Sequence, residues 1–258
     1  MSKVNKSREK FLGQEFTTTR CGKCKIVEYR GTHEIIVEFY EPFCLVKCRM
    51  INLKRGNVKN PLKPTFYGKG YIGLGEFSSK DRRHLEIWTS VLERCYSEIC
   101  WLSNPTYKDV IVCDDWLCFQ NFATWCDTQE FFNAKDDKGN LYQLDKDILV
   151  RGSRVYSPET CRFVPSCINK LLISCKKRRG VLPIGVFLEK STGKYGAQLQ
   201  DGSGRQKKLG TFTTPEEAFL VYKTHKENRV KYMADRWKDM LDFEIYKSLL
   251  GYKVDILD

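Results

Sequence analysis

The feature that most constrains the fold of this chain is the stretch from residue 178 to residue 237. It contains three short apolar runs separated by turn residues: Ile184–Leu188, Tyr195–Gln200 and Arg205–Phe212. The second run alternates apolar and polar residues with the period of a half-buried strand. Residues 213–217 read Thr-Thr-Pro-Glu-Glu, with a Thr cap, Pro in the first turn and acids at the positive end of a helix dipole. The pattern predicts a three-stranded sheet followed by one long helix, Pro215–Trp237.

The alternation in the second run divides its side chains between two faces of the sheet. Tyr195, Ala197 and Leu199 share one face, which we expect to pack on the helix. The opposite face carries Lys194, Gln198 and Gln200. Because Gln can pair with adenine edges while Lys and Arg bind phosphate or guanine, this face has the chemistry of a DNA contact surface.

Positive charge is concentrated around the same sheet. Residues 176–212 contain nine Lys and Arg against two acids, a net charge of +7. The alternative is an ordinary solvated sheet face, since basic runs are common. We predict DNA contacts at the basic and polar residues of this region and of an earlier basic loop, namely Arg178, Arg179, Lys190, Lys194, Gln198, Gln200, Arg205, Lys207, Lys208, Lys54, Arg55 and Lys59.

About sixty residues of this region resemble the AP-two (ethylene-response-factor-type) DNA-binding domain. The residues that carry the resemblance are Gly185-Val186, Lys194-Tyr195 with Ala197, Leu209-Gly210-Thr211-Phe212, and Thr214 with Glu216-Glu217-Ala218 and Tyr222. The resemblance implies that the sheet enters the DNA major groove while the helix packs behind it.

Composition also favours an anionic partner. The 258 residues carry a formal net charge of +12, which is typical of nucleic-acid-binding proteins. The charge is uneven: residues 1–63 carry +8, residues 64–175 carry −2 and residues 213–258 carry −1. No apolar run approaches the ~20 residues that span a bilayer, and the first ten residues are polar, so a cytoplasmic protein with reduced cysteines is expected.

The first sixty-three residues predict a small basic β-rich module. Three strands are expected, at Lys25–Tyr29, Glu34–Tyr40 and Phe43–Met50, followed by a basic loop over residues 52–61. Cys21, Cys24, Cys44 and Cys48 have nearly the spacing of zinc ligands. Buried thiols are the preferred interpretation, because same-face strand positions suit core packing equally well.

Residues 64–175 predict a helical segment behind a glycine-rich one. Four glycines lie within residues 66–77, but the Lys-Ser/Thr of a phosphate loop does not follow them, so we interpret them as a joint or a close backbone approach. Apolar residues at three-to-four spacing predict helices over Ser79–Ile99 and Asp114–Thr128.

A wider resemblance, from about residue 50 to the end, is to phage-encoded HNH-type homing endonucleases. It rests on the order of four motifs: Trp88–Tyr96, Val112–Phe122, Leu144–Leu149 and Tyr156–Pro165. The resemblance implies a ββα-metal nuclease core in which a His activates water and His, Asn or Asp residues hold one divalent metal ion.

The chain departs from this pattern at its catalytic position. No histidine lies between residues 113 and 175, and Lys146 stands where the resemblance requires the general base. A protonated Lys cannot accept a proton, and the neighbouring Asp145 and Asp147 favour its charged form. We expect Asp145, Lys146 and Asp147 to be a degenerate, inactive catalytic site. No cofactor is expected unless nuclease activity persists, in which case Asp145, Asp147 and Asn169 would bind Mg²⁺.

These observations predict an α+β protein with three modules: a basic β-module at 1–63, a degenerate HNH-like core at 64–175 and an AP-two-like domain with a C-terminal helix at 176–258. The expected function is sequence-specific binding of double-stranded DNA, as a repressor or regulator in a phage or phage satellite. The alternative is an active metal-dependent homing endonuclease or nickase. A purely structural phage factor is a third reading, and homodimer formation is left open.

Overall fold

The computed structural model describes residues 9–172, 181–200 and 205–256. The protein is a mixed α+β structure with one four-stranded and one three-stranded sheet, which confirms the predicted fold class at that level. The chain forms two compact units, one ending at Asp127 and completed by Arg154–Ser157, the other comprising Thr128–Ser153 and the chain from Pro158 onward. Because the predicted boundaries at residues 63 and 175 lie inside these units, the three-module division stays a prediction.

The first unit begins with an antiparallel sheet in which neighbouring strands follow one another in the chain. Its strands are β1 (Glu15–Thr18), β2 (Gly22–Tyr29), β3 (Ile35–Phe39) and β4 (Cys44–Cys48). Alternate residues of β3 are fully buried, so one face of the sheet covers a core and the other meets solvent. The three predicted strands are confirmed, and β1 is an additional strand.

The predicted basic loop over residues 52–61 is wrong at its start. Helix α1 (Met50–Lys54) occupies these positions. Met50 and Leu53 lie three residues apart and are both buried against the sheet, a spacing that a helix places on one face. The core contact therefore selects a helical turn where the local polarity suggested a loop.

The helices of the first unit lie mostly after residue 81. This part of the unit contains α2 (Arg82–Tyr96), α3 (Glu98–Ser103), α4 (Phe119–Thr128), two short 3-10 segments at Pro105–Tyr107 and Asp114–Leu117, and a parallel pair of Ile111–Val112 with Val155–Tyr156. The predicted single helix over Ser79–Ile99 is two helices, because Ser97 is extended and its hydroxyl accepts a hydrogen bond from Cys100 N at 3.3 Å. The predicted helix over Asp114–Thr128 likewise begins as a 3-10 turn.

Close backbone approach explains three of the clustered glycines. A Cβ atom at Gly70 would lie 2.3 Å from Leu92 Cδ1, and one at Gly73 would lie 2.4 Å from Cys118 Sγ. At Gly75 it would meet the side-chain oxygen of Gln120 at 2.3 Å. The prediction of close approach is confirmed, since any larger residue would displace these neighbours.

The second unit begins with a short hairpin followed by a helix. Strands β5 (Gln143–Asp145) and β6 (Arg162–Val164) pair antiparallel, and α5 (Ser166–Leu171) follows directly. Asp145 of the Asp-Lys-Asp sequence singled out above is the last residue of β5, and Lys146 and Asp147 follow it.

A three-stranded antiparallel sheet follows, in the order β9-β8-β7. Its strands are β7 (Val186–Glu189), β8 (Lys194–Gln200) and β9 (Gln206–Phe212). Helix α6 (Pro215–Arg236) starts at a capping box in which Thr214 and Glu217 satisfy each other's backbone N–H groups, as the sequence predicts. A 3-10 turn at Lys238–Met240 and α7 (Phe243–Leu250) complete the unit.

Helix α6 contributes to two separate cores. Its first half, through Ala218, Phe219 and Tyr222, packs on the three-stranded sheet. Its second half, through Val230, Ala234 and neighbouring Trp237, packs with residues of β6, α5 and α7. Val230 belongs to the second core and not to the first, because at 1.5 Å per residue it lies about 12 Å beyond Tyr222 along the helix.

Gly185 permits the closest contact between the sheet and α6. Its φ angle is +78°, and a Cβ atom there would lie 2.0 Å from Tyr222 Cδ2. The tyrosine ring, itself buried, thus packs directly on the backbone that leads into β7. Only glycine combines the positive φ with the space for this ring.

We predict that Gly185→Ala lowers the free energy of unfolding by about 3 kcal/mol, because a left-handed φ costs ~1–2 kcal/mol and overpacking costs ~1–3 kcal/mol. Gly193→Ala is the matched control: Gly193 has a φ of +69° but no atom within 4 Å of its Cβ position. That variant carries only the φ cost. Urea unfolding followed by circular dichroism measures both, and equal losses would refute the role of the Tyr222 contact.

Candidate nucleic-acid interface

The register of the three-stranded sheet separates a covered face from an outer face. On β8, Tyr195, Ala197 and Leu199 pack in the core beneath α6. The predicted partition of β8 is confirmed. The outer face holds the alternate residues of β8 and their strand partners, which are Lys194 with Glu189, Gly196 with Phe187 and Thr211, Gln198 with Lys208, and Gln200 with Gln206.

Phe187 was not among the predicted site residues, yet it lies at the centre of the outer face. It pairs with Gly196, where a Cβ atom would lie only 2.3 Å from the Phe187 ring. The aromatic ring thus lies over the glycine and fills the space that a side chain would take. Strand alternation alone could have placed Phe187 on the face opposite to that of Val186. Only the register shows that the Phe187 ring covers Gly196.

Glu189 neutralises part of the positive charge of the outer face. Its carboxylate accepts a hydrogen bond from Lys208 Nζ in an ion pair. It also accepts from the hydroxyls of Thr192 at 3.3 Å and Thr211 at 3.4 Å. The hydrogen bond from Lys208 is the main reason that the pKa of Glu189 lies below its ordinary value. The charge of Lys208 is therefore already paired with Glu189. Lys194 is exposed at the first residue of β8.

The remaining predicted residues of this region lie around the sheet rather than on its outer face. Lys190 and Arg205 are exposed next to strand ends. Lys207 is exposed but pairs with Leu199, which places it on the opposite face from Lys208. Arg178 and Arg179 lie outside the described residues.

A β-bulge changes the register in the middle of the sheet. Ala197 pairs with Gly210 while the next residue, Gln198, pairs with Lys208, so Leu209 is an extra residue in β9. Such a bulge increases the local twist of a strand pair and redirects side chains. It is the reason that Lys208, and not Leu209, stands beside Gln198 on the outer face.

The earlier basic residues belong to the first unit. Lys54 ends α1 and lies with its Nζ 5.8 Å from the centre of the Phe11 ring. Arg55 and Lys59 follow and are exposed. All three side chains reach solvent, so they form a second basic surface of the kind that attracts phosphates.

The Asp-Lys-Asp segment is held by its own contacts. Asp145 Oδ1 accepts hydrogen bonds from the backbone N–H groups of Asp147 at 2.9 Å and Ile148 at 2.8 Å. The Nζ of buried Lys146 donates to Asp147 Oδ1 at 2.7 Å and to the Ser153 carbonyl at 2.6 Å. Lys146 therefore ties this segment together through an ion pair with Asp147 and a hydrogen bond to the Ser153 carbonyl.

Within the described parts of the chain, no group of three His, Cys, Asp or Glu side chains could hold a metal ion. Asn169, the third predicted metal-binding residue, donates its side-chain amide to Gln143 at 3.1 Å.

The four cysteines with zinc-like spacing take part in the first unit as thiols in or beside its core. Cys21, Cys24 and Cys44 are buried. Burial, together with the nearby Cys24, raises the pKa of Cys48 to about 11.

Comparisons of the chain with protein-family models, curated proteins and solved structures find no match. Over residues 9–172, 181–200 and 205–256, none of the helices is long and apolar enough to cross a membrane.

The Asp145 carboxyl leads to a prediction about stability and pH. Burial raises its pKa, although the two backbone N–H groups oppose the shift. A carboxyl whose pKa is higher in the folded than in the unfolded state stabilises the fold at pH values below its unfolded pKa of about 3.9. This stabilisation is lost as the pH rises through the pKa of the folded state. Asp145→Asn keeps a carbonyl acceptor without a charge, so its stability relative to the parent should rise from pH 4 to pH 7.

Urea unfolding at the two pH values measures this difference. Asp145→Ala serves as the comparison, because it also lacks the acceptor and should therefore be less stable than Asp145→Asn by about 1–3 kcal/mol at both pH values. A relative stability of Asp145→Asn that falls between pH 4 and pH 7 would contradict the prediction.

Proposed function

We propose that this chain is a sequence-specific double-stranded DNA-binding protein that reads its site with the outer face of the β7–β9 sheet. The observation that carries the proposal is the division of this sheet. One face is covered by α6, while the other presents Lys194, Gln198 and Gln200 to solvent together with the paired Lys208. An exposed polar and basic sheet face next to a buried one has the form of known β-sheet DNA readers.

The dimensions and chemistry of this face suit a major groove. Neighbouring strands lie about 4.8 Å apart, so two strands fit within a groove about 12 Å wide. Gln198 and Gln200 each carry an amide that can both donate a hydrogen bond to and accept one from the edge of an adenine. Lys194 supplies a phosphate contact. The resemblance to AP-two domains is consistent with this mode of docking.

The proposed biological role is that of a transcriptional repressor or regulator in a phage or phage satellite. The resemblance to HNH-type homing endonucleases suggests descent from a DNA-cleaving ancestor. The Lys146–Asp147 ion pair and the use of Asp145 Oδ1 by two backbone N–H groups favour binding without cleavage. In such a protein, occupancy of an operator would be the functional outcome.

The basic residues of the first unit, Lys54, Arg55 and Lys59, extend the proposal to a second DNA contact. Two modules on one chain bind one DNA molecule with an affinity raised by their effective concentration. A palindromic selected site would indicate that the protein binds as a homodimer.

A selection from random duplexes, followed by binding assays at several salt concentrations, tests the reader surface. We expect Lys194→Ala to weaken binding to all sequences and to reduce the slope of log K against log salt by about 1. Gln198→Ala and Gln200→Ala should instead relax base preference at one position each, at a cost of about 1–3 kcal/mol against the preferred base.

Lys207→Ala is the matched control for Lys194→Ala. It removes the same charge from an exposed residue of the same sheet, but one whose register places it with Leu199 on the opposite face. If Lys194→Ala and Lys207→Ala change the salt slope equally, net charge and not the outer face determines binding. If no duplex is enriched, the proposed function is wrong.

An active metal-dependent nickase or homing endonuclease is the second candidate. The antiparallel pair β5–β6 followed directly by α5 favours it, because this order of elements is the one that the HNH resemblance implies. Asp145 and Asp147 retain carboxylates suitable for Mg²⁺.

Plasmids that carry the selected site separate the two candidates. With Mg²⁺ or Mn²⁺ present, we expect retention of the plasmid without strand breaks. Site-specific nicks that Asp145→Asn abolishes would instead establish an enzyme, since this variant keeps the hydrogen-bond acceptor while removing the charge that would bind the metal ion.

A further inference from the structure

A cleft lined by both apolar and charged side chains opens beside Gln200, the last residue of β8, entirely within the second unit. Its volume is ≈ 830 Å³. The walls come from the end of β8, the outer side of α6, the start and end of α5, and the turn over residues 136–140. The cleft is thus a separate feature from the outer face of the sheet, but Gln200 belongs to both.

The charge of the cleft is strongly positive. Five cationic side chains line it, namely Lys138, Lys170, Lys226, Arg229 and Arg236, against the two carboxylates Asp136 and Asp137, which leaves a net charge of +3. Asp136 is occupied by its own turn, where it accepts from the backbone N–H groups of Lys138 at 3.0 Å and Asn140 at 2.8 Å.

Two of the cations anchor the walls to each other. Lys226, although buried, donates its Nζ to the carbonyl of Leu171 at the end of α5. Arg229 donates to the carbonyl of Gln200 at the end of β8. These bonds connect α6 with both the hairpin–helix element and the reading strand, so the cleft has a defined position relative to the outer face.

The other cations remain available to a ligand. Lys170 is exposed, and no acidic partner is found for it among the described residues. Arg236 is exposed and lies 3.8 Å from the exposed Asp137, an ion pair of the kind that contributes little energy and yields readily to a stronger anion. Guanidinium groups bind phosphate with bidentate geometry.

We infer that this cleft binds the phosphate backbone of the duplex that flanks the site read by the sheet. The inference rests on the proposed function and extends it from base reading to the placement of the DNA. Gln200 belongs to both surfaces, so a duplex that contacts the outer face at this residue has the exposed cations of the cleft next to it. Contacts to flanking phosphates carry no sequence information but determine register and orientation on the duplex.

The test combines a cleft variant with shortened DNA. Lys170→Ala/Arg236→Ala removes two exposed cations, and the duplex enriched by the unmodified chain is shortened stepwise from each end. On the full duplex we expect the double variant to bind roughly tenfold more weakly, with a salt slope reduced by about 2. Shortening from one end should weaken the unmodified chain by the same factor but leave the double variant unchanged.

Lys231→Ala/Lys247→Ala is the matched control. Both lysines are exposed, one on α6 and one on α7, and neither lines the cleft. This variant should bind the full and shortened duplexes like the unmodified chain, apart from a length-independent effect of net charge. Thermal unfolding of the variants checks that the exposed substitutions leave the fold intact.

The outcomes distinguish the two proposals. If the cleft variant binds every duplex like the control while Lys194→Ala weakens binding, the cleft inference is wrong and the reader surface stands. Equal weakening on all lengths, including the shortest, also overturns the inference, because the lost contact would then lie within the read site. If the unmodified chain enriches no duplex, both proposals fail.

Discussion

Helix α6 is the constraint on which the second unit depends. Its first half covers the three-stranded sheet and its second half covers the core shared by β6, α5 and α7. A helix of 22 residues is about 33 Å long, enough to contact two cores in succession. Because one helix packs on both, the orientation of the three-stranded sheet is coupled to the hairpin that carries Asp145, Lys146 and Asp147. The positive φ of Gly185 lets Tyr222 complete this coupling at the sheet.

The electrostatics of the two candidate sites differ in kind. On the outer face, Glu189 pairs with Lys208 in an exposed position where salt screens the interaction, so the pair can exchange partners at little cost. In the Asp-Lys-Asp segment, Lys146 is buried and its partners are the adjacent carboxylate and a carbonyl. Breaking that arrangement would leave a buried charge unsatisfied. The outer face is therefore suited to binding a polyanion, whereas the contacts of the Asp-Lys-Asp segment stabilise a loop.

Under the proposed function, this contrast would explain how a scaffold descended from a nuclease could become a DNA-binding protein. Binding requires exposed cations and amides on a stable surface, and these tolerate exchange of ligands. Cleavage requires a general base and a metal ion in one site. In the proposed account, Lys146 occupies the place of the base and forms an ion pair with Asp147 instead. The surrounding hairpin and helix would be retained because their apolar residues, among them Val164 and Ile168, belong to the core that α6 covers.

The sequence by itself determined the local elements whose signals are periodic or chemically specific. These include three of the four strands of the first sheet, all three strands of the second, the capping box at Thr214 and the division of β8 into an apolar and a polar face. It did not determine that Ser97 divides one helix into two, that residues 50–54 are helical, or that Val230 leaves the sheet for another core. Nor could it show that Phe187 covers Gly196, that Lys208 and not Lys207 lies beside Gln198, or that a cationic cleft adjoins Gln200. Those features depend on register, on a bulge and on contacts between residues far apart in the chain, which local propensity does not encode and only tertiary packing decides.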